Sequence, residues 1–111
     1  MLPSPALLKR PESSCMTFND FIKSLEHTTP PAELSPLLQA LWFEGKGDWE
    51  TSHTIAQDIH TKDASWIHAY LHRKEGDVGN ASYWYQRAGK PVPTISLEKE
   101  WESIVRELLT T

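Results

Sequence analysis

Apolar residues recur along most of this chain at spacings of three and four, which is the pattern of helices with one buried face. The first such run covers residues 18–25 and the last covers residues 97–108. No stretch of useful length alternates between apolar and polar residues, so the pattern predicts no strand. The chain is therefore expected to be all-α, with six helices, two of them short.

Helix boundaries are marked by residues that favour starts and ends. Short polar residues that can accept hydrogen bonds from free helix N–H groups precede five of the expected helices: Thr17, Ser35, Asp48, Asp77 and Ser96. Either Thr61 or Asp63 can cap the remaining one. Gly76 and Gly89 favour helix ends, because glycine adopts the left-handed conformation common there. These signals predict where each helix begins and ends.

The dipeptide Gly-Asp occurs at 47–48 and again at 76–77, an offset of 29 residues. Each copy separates two helical runs. A helix–turn–helix unit repeated at a fixed spacing indicates stacked helical hairpins. The predicted architecture is two antiparallel helical hairpins, braced by an N-terminal helix and capped by a C-terminal helix.

Residues 1–16 contain three prolines and three serines without periodicity, which predicts a disordered tail, and residues 17–111 are expected to form a single helical domain. Met16 lies at this boundary, so Met1 and Met16 are both candidate start residues. Cys15 is the single cysteine, so no intramolecular disulfide can form and a cytoplasmic location is expected. No apolar run approaches the length of a membrane span, so no membrane-spanning helix is predicted.

Charge is spread unevenly along the chain. The formal net charge of −4 argues against nucleic-acid binding. Residues 17–61 carry two Lys/Arg against seven Asp/Glu, whereas residues 62–90 carry five against three. The second hairpin is thus the basic part of an acidic protein. This basic excess is interpreted either as ordinary surface variation or as a site for an acidic ligand.

The segment 76–88 resembles the second half of a tetratricopeptide or Sel1-like repeat. The residues that carry this resemblance are a small residue, an aromatic, an alanine and a later proline: Ala81, Tyr85, Ala88 and Pro93. The resemblance extends over about residues 36–93 and implies hairpins whose small residues allow close helix approach. The longer string 66–88 also resembles a small bacterial family without an assigned activity, which implies a compact helical protein of the cytoplasm.

A stripe on the fourth helix suggests a binding surface. Trp66, Tyr70 and Arg73 are spaced i, i+4, i+7 and share one helix face. Tetratricopeptide domains that hold peptide C-termini use cationic groove residues, so the resemblance implies that Arg73, Lys74 and Arg87 supply charge here. The predicted function is non-catalytic binding of a protein or peptide, acidic or with a free carboxylate. Alternatively, Trp66 and Tyr70 are buried against the last helix.

Histidines on the same helix suggest a metal site. His68 and His72 are four residues apart, a spacing at which two imidazoles can share an ion, and Glu75 follows as a third candidate ligand. His53 or His60, from the neighbouring hairpin, would be the fourth. The alternative function is therefore a metal-binding protein or metal-dependent enzyme using zinc or another transition metal. The competing interpretation is that one histidine fills the core and another is solvated.

Two further patterns bear on function. No nucleophile–base motif and no glycine-rich phosphate loop accompanies the serines, histidines and acids, so no catalytic residue is predicted. Tyr83, Trp84 and Tyr85 are consecutive and cannot all face one side of a helix. With Tyr85 in the core, an exposed aromatic would remain, and exposed aromatics often mark interfaces. A homodimer is the prediction that follows.

Overall fold

The computed structural model describes residues 16–110, and it is all-helical over that range. The six helices are α1 (Phe18–Ser24), α2 (Pro36–Gly45), α3 (Trp49–Gln57), α4 (Lys62–Lys74), α5 (Val78–Ala88) and α6 (Leu97–Leu109). None of these helices is long and apolar enough to cross a membrane. The predicted tail, apart from Met16, lies outside the described residues, and so does Cys15.

The predicted helix starts are confirmed. Each of the five expected caps accepts a hydrogen bond from a backbone N–H in the first turn of its helix. For α4 the structure selects Thr61 over Asp63, because the Thr61 hydroxyl accepts from the Ala64 amide at 3.1 Å. Asp63 instead lies in the first turn, where the positive end of the helix dipole favours a carboxylate.

The two Gly-Asp turns have the same local structure. Gly47 and Gly76 both have φ of 86°, a left-handed conformation that glycine adopts without steric penalty. After each glycine, the amide of the aspartate donates at 2.9 Å to the carbonyl five residues earlier. The side chains of Asp48 and Asp77 then cap α3 and α5. The 29-residue repeat is therefore a repeated turn as well as a repeated dipeptide.

Helix α4 lies at the centre of the fold. It packs against α3, α5 and α6 and also contacts α2, while α1 packs on α6. All nine residues from 64 to 72 are consequently buried. The core around α4 is rich in aromatics, including Trp42, Tyr85 and Phe21. Because α4 is covered on several sides, the polar side chains at 68–74 have to find partners inside the protein or carry a function.

Candidate metal centre

Three histidines from two helices come together beside α4. His68 and His72 lie one turn apart on α4, and His53 reaches them from α3. The ring centres of His53 and His68 are 4.7 Å apart, and those of His68 and His72 are 4.8 Å apart. One ring nitrogen from each of the three lies within 4.8 Å of the other two. We call His53, His68 and His72 the histidine cluster.

Hydrogen bonds set the orientation of these rings. Nε2 of His53 lies 3.0 Å from Nε2 of His68, so in the neutral pair one nitrogen donates and the other accepts. Nδ1 of His72 lies 2.7 Å from Oε1 of Glu75. Because an ionised carboxylate can only accept, Nδ1 of His72 carries the hydrogen. The lone pair of His72 is then on Nε2, the arrangement found when a carboxylate orients a metal-binding histidine.

Two tryptophans form the walls of the cluster. Trp49 stacks on His53 with 4.7 Å between ring centres, and its indole N–H donates to the carbonyl of Leu71 at 2.9 Å. Trp84 stacks on His68 at 4.1 Å. These rings fix the imidazoles and restrict water around them, two properties that strengthen metal sites. Neither tryptophan was part of the sequence prediction for this site.

The environment favours the neutral form of His53 and His68. Burial lowers the pKa of His68 to about 4, and the neighbouring His53 and His72 contribute to that lowering. Burial is also the main cause that lowers the pKa of His53. At neutral pH both rings are therefore uncharged and each has one lone pair, which is the form that binds a metal ion.

The geometry of the cluster is close to what a metal ion requires. Zinc–nitrogen bonds of about 2.0–2.1 Å at tetrahedral angles place ligand nitrogens about 3.4 Å apart. The His53–His68 pair is already at 3.0 Å, and the widest spacing in the cluster is at most 4.8 Å. Side-chain shifts of about 1 Å would thus bring the three nitrogens around one ion. Imidazole nitrogen suits zinc, copper, iron and nickel.

The other predicted ligands have different positions. Glu75 contacts Nδ1 of His72 and therefore acts on that ring from outside the cluster. His60 does not join the cluster; it lines a cavity at the start of α4. Asp77, with His72 and Glu75, forms a second group of possible ligands, but its carboxylate already caps α5 by accepting from the Asn80 amide.

The predicted partner-binding stripe makes contacts within the protein. Trp66 and Tyr70 are 8% and 3% exposed. Polar contacts join the stripe and the adjacent Lys74 to two buried carboxylates. The hydroxyl of Tyr70 donates to Glu44, and Lys74 also pairs with Glu44. Arg73 pairs with Glu100 at 2.7 Å. Glu100 also accepts from the hydroxyl of Tyr85 at 2.5 Å. We call these six residues the carboxylate network: Glu44, Tyr70, Arg73, Lys74, Tyr85 and Glu100.

The remaining predicted residues lie on α5. Arg87 is exposed, with its guanidinium 5.4 Å from the Trp84 ring centre. The predicted burial of Tyr85 is confirmed, and Tyr83 is 52% exposed. Exposure of Tyr83 is compatible with an interface between two copies, and the homodimer stays a prediction.

Comparison of the chain with known proteins finds no matching family model, no matching curated protein and no matching solved structure. The resemblance to tetratricopeptide and Sel1-like repeats, and to a small bacterial family, therefore stays a prediction. The function of this chain has to be inferred from its own residues and the contacts they make.

Proposed function

We propose that this protein binds a transition-metal ion, with zinc as the first ion to test, through His53, His68 and His72. The observation that carries the proposal is the convergence of three imidazoles, with Glu75 directing the lone pair of His72 away from its own carboxylate. Burial favours the neutral form of His68 and His53, so the donors are ready without a change of charge.

The cluster differs from a set of core histidines in how its polar atoms are used. Buried polar groups are normally paired with partners that satisfy them. Here His53 and His68 pair only with each other, through the same nitrogen that would bind an ion. Three protein ligands leave at least one coordination position for water or a bound molecule, as in catalytic zinc sites. Such a centre is compatible with a metal-dependent enzyme and with a non-catalytic metal-binding protein.

A calorimetric zinc titration of untagged, chelator-treated protein tests the proposal. We expect one ion per chain and loss of that binding in His72→Ala, with His68→Gln as a second variant that keeps a polar side chain. His27→Ala is the matched control, because His27 is exposed and lies outside the cluster. Circular dichroism checks that each variant is folded. Absence of saturable binding, or equal loss in the His27 variant, would overturn the proposal.

We also propose that the helices form the predicted pair of tetratricopeptide-like hairpins. The repeated turns at Gly47 and Gly76 support this arrangement, as does the packing of α2 on α3 and of α4 on α5. Such a scaffold explains how the metal site is built, because α3 and α4, the adjoining arms of the two hairpins, supply all three histidines. A crystal structure in which α3 and α4 do not lie side by side would contradict this arrangement.

A second candidate function keeps part of the peptide-binding prediction. Tyr70 and Lys74 border an open groove of about 850 Å³ between α1, α2, α4 and α6. Ile22, which is 38% exposed, also lines this groove and offers an apolar contact. We propose this groove as the place where a peptide would bind. Capture of a peptide partner by the wild type and by Ile22→Ser equally would contradict binding in this groove.

A further inference from the structure

A separate cavity lies at the start of α4. It has a volume of about 210 Å³ and is enclosed by the end of α3, the loop that follows, the first turn of α4 and one side of α5. Since one liquid water occupies about 30 Å³, the cavity has room for about seven waters or a small organic molecule. His68 and Trp84 form one of its walls, so it adjoins the histidine cluster.

The charges around this cavity are all of one sign. Lys62 and Arg87 line it, together with His60, and no carboxylate of the described residues does. Neither Lys62 nor Arg87 forms an ion pair within residues 16–110. In a protein with a net charge of −4, two cations without a carboxylate partner, around an acid-free cavity, mark a local positive potential. That potential favours an anionic ligand.

A serine of α4 presents a hydroxyl to the same cavity. Ser65 is only 8% exposed and lines the cavity. Its hydroxyl makes no hydrogen bond to any of the described residues, and its oxygen is open to solvent in the cavity. An acceptor atom of a ligand that enters the cavity can therefore replace water as the partner of the Ser65 hydroxyl. The positive end of α4 faces the same space, because Thr61, Lys62 and Ala64 also line it.

We propose that this cavity binds a small molecule through an oxyanion group, either a carboxylate or a phosphate. Arg87 and Lys62 would supply the charge, and Ser65 a hydrogen bond. Trp84 and His68 would contact the rest of the ligand. The cavity stands on its own contacts, so the inference holds whether or not an ion binds at the histidine cluster. The shared wall places the anion beside that cluster.

Titration of chelator-treated protein with inorganic phosphate, and separately with acetate, tests this inference at constant ionic strength. ¹H–¹⁵N NMR spectra give the response of each amide and of the Trp84 indole N–H. We expect saturable shifts at Ser65, Thr61 and Trp84 with at least one of the two anions. A response to phosphate alone, or to acetate alone, identifies which oxyanion the site accepts. No saturable shift with either anion would overturn the inference.

Matched variants locate the binding. We expect Arg87→Met to weaken the anion at least tenfold, and Arg106→Met, which removes the same charge from α6, to leave it within twofold. Lys62→Met and Lys23→Met form a second such pair, because Lys23 is an exposed lysine of α1 that does not line the cavity. Equal weakening by both members of each pair would show nonspecific charge attraction and overturn the inference. Because the protein is metal-free throughout, failure here would leave the zinc proposal untouched.

Discussion

Helix α4 contributes to two buried polar clusters, and they differ in how their side chains are paired and charged. In the carboxylate network, Glu100 receives Arg73 and Tyr85, and Glu44 receives Tyr70 and Lys74. In the histidine cluster, one of three rings has a carboxylate partner and the other two share a single hydrogen bond. The two carboxylates of the first cluster are balanced by Arg73 and Lys74, whereas burial favours neutral His53 and His68 in the second.

This difference separates a structural role from a binding role. Glu100 has a cation on one oxygen and a hydroxyl on the other, so it has little left to offer a ligand. The phenols of Tyr70 and Tyr85 follow the same logic, since burial and the neighbouring carboxylate raise the pKa of each well above its usual value, keeping both protonated as donors. Neutral imidazoles with shared or free lone pairs are, by contrast, suited to receiving an ion.

The largest expected effect comes from breaking the carboxylate network. Glu100→Ala leaves Arg73 without its buried partner and should lower the free energy of unfolding by about 3–5 kcal/mol. Urea denaturation followed by circular dichroism measures it. Glu102→Ala, two residues along α6, is the control; its ion pair with Arg106 is more exposed, so about 1 kcal/mol or less is expected. A comparably small loss in Glu100→Ala would mean that this network does not hold the fold.

The next effect is a pH dependence that arises in the histidine cluster. The pKa of His68 is about 4 in the folded state against 6.5 in the unfolded state. Its contribution to the free energy of unfolding is therefore present above pH 6.5 and is lost as pH falls towards 4. The loss is on the order of 3 kcal/mol in metal-free protein. His53 acts in the same direction, while Glu75 opposes it by favouring protonation of His53.

Urea unfolding of the wild type and of His68→Gln, measured from pH 7 to pH 4, checks this dependence. Carboxylates titrate over part of the same range in both proteins, so the difference between the two curves isolates His68. We expect the variant to lose less stability than the wild type as pH falls. Parallel curves would show that His68 is not kept neutral by the fold.

The smallest of these effects concerns the residue that orients His72. Glu75→Ala removes the acceptor of its Nδ1–H and should weaken zinc binding about 10–100-fold, because outer-shell partners of metal ligands have effects of this size. Calorimetry with zinc measures the change. Glu107→Ala, at an exposed position on α6, is the matched control and should leave zinc affinity unchanged. A Glu75 variant that binds zinc as tightly as the wild type would exclude the orienting role.

Local features of this fold were predictable, whereas its contacts between helices were not. Caps and turns depend on residues within a few positions of one another, so Thr17, Ser35 and the Gly-Asp turns could be located in the chain. Burial of Trp66 and Tyr70 was one of two alternatives, and the choice between them depends on how distant helices pack against α4, which spacing along α4 does not report.

The candidate site shows the same division. His68 and His72 are four residues apart on one helix, and their pairing follows from helix geometry. His53 is 15 residues from His68, and its selection over His60 depends on how α3 packs against α4. The spacing of Trp49 and His53, also four residues, was a usable signal that an aromatic ring covers the cluster.

The most direct test of the central claim is X-ray absorption spectroscopy of the untagged protein loaded with one equivalent of zinc. The account predicts three imidazole nitrogens at about 2.0–2.1 Å and one further light ligand. A spectrum with one imidazole or none, and mostly oxygen ligands, would contradict the assignment of His53, His68 and His72 as the metal centre.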